Sequence, residues 1–144
     1  MAESRLRVLN VHPMANTDGV WSTDNRFYRP QLDQLRSLTR TVRGDESPAV
    51  VCGDFNVSRE STLYDEFRRG SGLRDAFGGS CPPTFHAEYL PPRRTAHCID
   101  FIFVTEPAEV GSTTLLFTGK RAMPSGPGHV SDHLGLQAQL SFRS

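Results

Sequence analysis

Ala49, Val50, Val51 and Cys52 form an unbroken apolar run that stops at Gly53. A short apolar run with a glycine at its end reads as a buried strand. Asp54 and Asn56 follow it, separated by Phe55. The strand thereby delivers an acid and an amide at the mouth of a sheet, the kind of position where chemistry is done. A core strand of this type requires neighbours on either side and covering elements above it, and the rest of the chain supplies candidates.

Residues 5–12 read as a strand, with Leu6, Val8, Asn10 and His12 on one face and Leu9 and Val11 on the other. Pro30 suits a first helical turn; Leu32, Leu35, Leu38 and Val42 recur at helical spacing, and Gly44 is placed to end that helix. Residues 61–69 predict a short helix with Leu63, Tyr64 and Phe67 inward, stopped by Gly70. Residues 98–104 are rich in β-branched and aromatic side chains and predict a strand; residues 113–118 predict another. Residues 119–130 hold three glycines and two prolines and read as a loop. The last segment alternates Leu134, Leu136, Ala138, Leu140 and Phe142 with Gly135, Gln137, Gln139 and Ser141, the pattern of a half-buried strand. The expected order is β-α-β-α-(β)-β-β-β.

A length of 144 residues suits one domain, 1–144, with a core of its own. Lys plus Arg equals Asp plus Glu, so the net charge is zero and the basic excess of a nonspecific nucleic-acid binder is missing. The three cysteines, Cys52, Cys81 and Cys98, show no Cys-x-x-Cys spacing and argue against zinc. No continuous apolar segment predicts a membrane span, and the default location is cytoplasmic.

Four blocks carry a resemblance, with Thr84-Phe85 as a weaker addition between the second and third: Val11-His12; Val50-Val51-Cys52-Gly53-Asp54-Phe55-Asn56; Cys98-Ile99-Asp100-Phe101-Ile102-Phe103-Val104; and Ser131-Asp132-His133-Leu134-Gly135-Leu136. Together and in this order they resemble the endonuclease/exonuclease/phosphatase family, which embraces deoxyribonuclease-like and sphingomyelinase-like enzymes. The resemblance implies half of a four-layer αββα sandwich: a mixed β-sheet with helices on one face. Family domains carry another half before the histidine strand, including a metal-binding glutamate that no position here matches; Glu3, Glu46, Glu60, Glu66, Glu88, Glu106 and Glu109 have no corresponding context.

The resemblance implies metal-dependent phosphodiester or phosphoester hydrolysis, with nucleic acid, phospholipid and small phosphate esters all open as substrates. Asp54 would hold or deprotonate the attacking water and touch the metal, and Asn56 would donate to a phosphate oxygen. Asp100 and His133 would form an acid-supported imidazole against the scissile phosphate. Asp132 would be a second metal-proximal carboxylate, and His12 would protonate the leaving oxygen. The cation would be Mg²⁺ or Mn²⁺, weakly bound without the glutamate. Arg93, Arg94, Lys120 and Arg121 read either as phosphate contacts or, as such pairs usually are, as solvated loop charge. Two functions stay open: a hydrolase, or a catalytically impaired remnant or interaction module of the same fold. An uncovered sheet face predicts a homodimer.

Overall fold

The computed structural model describes residues 5–142; Glu3 lies outside them. Strand β1 (Arg7–Val11) leads to helix α1 (Tyr28–Arg43), strand β2 (Ala49–Asp54), helix α2 (Thr62–Ser71) and the short strand β3 (Arg74–Asp75). A single 3-10 turn, Ala87–Tyr89, precedes β4 (Asp100–Val104), β5 (Ala108–Leu116) and β6 (Gly135–Phe142). The element order is the expected one.

Strands β1, β2, β4 and β3 lie in that spatial order in one mixed sheet. β1 runs parallel to β2, and β4 is antiparallel to both β2 and β3. Val51 of β2 and Phe101 and Phe103 of β4 point to the face covered by both helices. There they meet Leu32 and Leu35 of α1, Leu63 and Phe67 of α2, and the fully buried Phe55. Phe55 lies 5.3–5.5 Å, centroid to centroid, from the rings of Phe67, Phe101 and Phe103, mostly edge-on. This aromatic knot fixes the turn that leaves β2, and so fixes the residues on either side of Phe55.

β5 and β6 pair antiparallel as a separate two-stranded sheet. Ala108, Val110, Leu140 and Phe142 of the hairpin pack on Val50, Ile102 and Val104, which lie on the sheet face away from the helices. The hairpin therefore covers part of the face expected to be bare. Leu6 and Val8, at the β1 edge of that face, remain 46% and 65% exposed.

Several boundaries differ from the sequence pattern, three of them with a clear cause. Gly70 does not stop α2; Gly72 does, in the left-handed conformation at φ 72°, with its N–H on Arg68 O. β5 starts at Ala108 rather than 113, because a register shift between Val110 and Ser112 absorbs the irregular stretch around Gly111. It ends at Leu116, since Phe117 has a positive φ of 60°.

Candidate active site at the strand ends

In the β2–β4 register Asp54 is the direct partner of Asp100, so two carboxylates stand side by side at the end of the sheet. Val11 is the partner of Gly53, which brings His12, the next residue, beside Asp54. Gly53 is a steric requirement there. Its φ is 139°, and a Cβ would sit 2.0 Å from Val11 O. Only glycine lets β1 and β2 approach closely enough to bring their last residues together.

His133 arrives from the segment before β6. Phe85 and His133 form an isolated antiparallel bridge, the Leu134 N–H donates to Thr84 O at 2.7 Å, and the His86 N–H donates to Asp132 O at 2.8 Å. The Phe85 ring stands edge-on to the imidazole at 4.8 Å between centroids. Thr84 is fully buried, and its hydroxyl oxygen accepts the N–H groups of Ile99 and Asp100 at 3.0 and 3.2 Å. One threonine thus locks the start of β4 to the segment that carries His133.

The side chains converge. His133 Nδ1 donates to Asp100 Oδ2 at 2.8 Å, and its Nε2 lies 3.7 Å from Asp54 Oδ2. His12 Nε2 lies 3.6 Å from the same Asp54 oxygen, with its own side chain 74% exposed. The hydrogen bond donated to Asp100, more than any other effect, raises the His133 pKa; burial opposes it, and the charges of Asp100, Asp54 and Asp132 add to it. Burial raises the Asp54 pKa, opposed by the Asn56 N–H on its Oδ1 and reinforced by the neighbouring Asp100 charge. The site therefore holds a carboxylate of increased basicity facing an imidazole that favours its protonated form.

Asn56 has a left-handed φ of 51°, a region asparagine tolerates. Its Nδ2 donates to Pro13 O at 2.9 Å, tying the exit of β1 to the exit of β2. Its carbonyl accepts Trp21 Nε1 at 3.0 Å and Gln31 Nε2 at 2.8 Å. Gln31 also donates to Met14 O at 2.9 Å and is fully buried. Gln31 was not anticipated. The signal was present: it interrupts the apolar face of α1 one position before Leu32, where a polar side chain is costly unless it has partners.

Asp54, Asp100 and His133 are the residues whose potential ligand atoms all lie within 4.8 Å of one another. Asp132 is outside this group; its carboxylate is exposed and accepts the Ser131 hydroxyl at 3.4 Å. Two carboxylates suit a hard divalent cation, so the donor chemistry fits Mg²⁺ or Mn²⁺. The set is sparse, because Asp100 Oδ2 is already engaged by His133.

Beside these residues opens a pocket of about 560 Å³, between the loop 16–21 and the loop 90–97. Trp21, Asn56, Phe85 and Ile99 line it on the side of the strand ends. Arg93 and Arg94 line it from the second loop, and Arg94 Nη2 donates to Thr17 O at 3.1 Å across the gap. These arginines, readable from the sequence as phosphate contacts or loop charge, line a formed cavity. Lys120 instead pairs with Glu88 at 2.6 Å. The three cysteines are free thiols, distributed between β2, the loop at residue 81 and the residues before β4. No helix among the described residues is long and apolar enough to cross a membrane.

Comparison with known proteins identifies the fold and the family. The chain is 32% identical over 130 residues to human Nocturnin, a match covering 81% of this chain and 30% of that protein's length. Among solved structures, an endonuclease/exonuclease/phosphatase from Bacteroides vulgatus superposes with TM-score 0.62 at 28% identity, covering 80% of this chain and 45% of that one. The human Nocturnin catalytic domain, solved with bound sulfate, superposes with TM-score 0.57 at 23% identity over 94% of this chain and 46% of its own, a likeness of fold. The chain thus spans about 30% of the curated relative's length. The model of the Endonuclease/Exonuclease/phosphatase family matches residues 5–133, nearly the whole chain, and the protein belongs to that family.

Proposed function

We propose that this protein hydrolyses a phosphate ester in a reaction that depends on Mg²⁺ or Mn²⁺. The observation that carries the reading is the meeting of Asp54, Asp100, His133 and His12 at one end of the sheet. Asp54, with its pKa raised chiefly by burial, takes a proton from the attacking water more readily than an ordinary aspartate. His133 is held by Asp100 with Nδ1 as the donor, which leaves Nε2–H facing Asp54, where it can donate to a phosphate oxygen. His12, exposed and across Asp54 from the body of the site, is placed to give a proton to the leaving oxygen. Asn56 contributes by position: its bond to Pro13 O holds His12 against Asp54, and its second amide hydrogen is available to substrate. Asp54 and Asp100 supply the hard oxygens that would hold a divalent cation, whose part is to neutralise charge on the phosphate.

With only two carboxylates and one imidazole in reach, turnover is expected to be slow. The test is release of p-nitrophenol from bis-p-nitrophenyl phosphate and from p-nitrophenyl phosphate with Mg²⁺ or Mn²⁺ and with EDTA. Cation-dependent release from either ester supports the proposal; release unchanged by EDTA contradicts the cation requirement.

The exposure of Leu6 and Val8 favours a second reading, in which the fold serves as a self-associating module. A two-fold dimer would join these edges and bury the same patch on both chains. Absence of turnover together with a stable dimer would favour that reading.

A further inference from the structure

We infer that the pocket between the loops 16–21 and 90–97 receives a flat aromatic ring on the alcohol portion of the phosphate ester. This rests on the proposed phosphoesterase reading, since it names the substrate class of that site. The pocket is continuous with the strand ends through Asn56, so a ligand whose phosphate lies at Asp54 and His133 would extend its alcohol into it. Its volume, about 560 Å³, is in the range of small-molecule sites.

The lining chooses the class. Trp21 and Phe85 provide aromatic surface, and Val20 and Leu90 add apolar surface. Trp21 is fixed by its bond to the Asn56 carbonyl and by edge-on contact with His97 at 5.0 Å, so its ring is ordered before a ligand arrives. Arg93 lines the same cavity with no side-chain ion pair or hydrogen bond among the described residues, and its backbone is left-handed at φ 68°. A free guanidinium and an indole both prefer the face of a flat π-system. An acyl chain would leave the guanidinium unmatched, and a bare sugar would cover less of the two faces than a flat π-system. Arg94, by contrast, is committed to Thr17 O and ties the two loops together at the wall of the cavity.

A nucleotide and a simple aryl phosphate share this chemistry, and binding distinguishes them. Calorimetric titration in EDTA, where no turnover occurs, would compare AMP, 1-naphthyl phosphate and the ring-free ribose 5-phosphate. At least one ring ester is expected to bind about tenfold tighter than ribose 5-phosphate, the scale of one good stacking contact. Tighter AMP places the ring a sugar away from the phosphate; tighter 1-naphthyl phosphate places it on the ester oxygen. Trp21→Leu and Arg93→Gln should each remove at least about two-thirds of that preference while leaving ribose 5-phosphate unchanged. Arg93 is exposed and unpaired, so Arg93→Gln tests the pocket even if Trp21→Leu disturbs the fold. Equal affinity for ring and ring-free esters, a preference untouched by Arg93→Gln, or no binding of either ring ester at millimolar concentration would overturn the inference. Adenosine separates the two proposals: if it binds as tightly as AMP and Asp54→Ala weakens neither, the ring pocket stands and the phosphate site falls.

Discussion

Asp54 and Asp100 are direct partners across β2 and β4, a like-charge pairing that a sheet ordinarily avoids. Its presence at the sheet end, answered by His133 and His12, is the residue-scale reason to read chemistry there rather than packing. Two stability predictions follow from the charges. Asp54 has a raised pKa in the fold, so ionising it costs stability, a cost that builds as the pH rises above the unfolded aspartate value and is complete above the folded one. Asp54→Asn should therefore raise the thermal midpoint at about pH 8 and give no gain near pH 3.5, below the unfolded aspartate value of about 3.9. His133 has the opposite dependence. Its raised pKa means stabilisation that is complete below the unfolded histidine value of about 6.5 and is lost as the pH rises through the folded value. The midpoint deficit of His133→Gln relative to the parent should be larger at about pH 5.5 than at about pH 8.5; a deficit that grows with pH would contradict the Asp100–His133 assignment. The positions of Asp54, Asn56, Asp100 and His133 were legible because each sits at or beside a strand with a plain apolar pattern. Gln31 was not, because its role comes from contacts with residues distant in sequence, which no local periodicity encodes; the basic pair Arg93-Arg94 was visible, but not the loop 16–21 that faces it across the cavity.

Among the elements, the closest fit is between β1 and β2. The Cβ built on Gly53 falls 2.0 Å from Val11 O, so Gly53→Ala must push the strands apart or twist β2. It is expected to destabilise the fold by about 3 kcal/mol or more, read from urea unfolding, because overpacking and an unfavourable φ act together. Gly72→Ala, where nothing lies within 4 Å of the added Cβ, should cost only about 1 kcal/mol from the left-handed backbone. Equal losses at the two positions would mean that strand approach is not what Gly53 provides. Helix α1 and strand β6 were readable from their periodicities, since each has one buried face and little interruption. The first half of β5 was not, because a bulge shifts the register at the very residues where alternation would have announced it.

For the molecule as a whole, the layered α/β order was legible, while the placement of β5 and β6 was not. Alternation says that a strand has one buried face; it does not say which sheet the strand joins. By covering Val50, Ile102 and Val104, the hairpin leaves a smaller bare face than one mixed sheet alone would. Self-association, if Leu6 and Val8 drive it, should accordingly be modest. Sedimentation at micromolar concentration is expected to show a monomer–dimer equilibrium that Val8→Lys shifts to monomer. A monomer at all concentrations, or a dimer indifferent to Val8→Lys, would remove the edge of β1 as an interface.

The measurement that bears most directly on the proposed site is cation-dependent hydrolysis of bis-p-nitrophenyl phosphate or p-nitrophenyl phosphate by the parent chain and by Asp54→Asn, His133→Gln and Asp132→Asn. The parent should turn over slowly with Mg²⁺ or Mn²⁺ and not with EDTA. Asp54→Asn and His133→Gln should each lower the rate by about 100-fold or more, the range for loss of a proton-transferring group. Asp132→Asn, outside the cluster, should lower it by less than about tenfold. Turnover that survives both Asp54→Asn and His133→Gln, or a parent inert toward both esters with either cation, would contradict a phosphoesterase site at these strand ends.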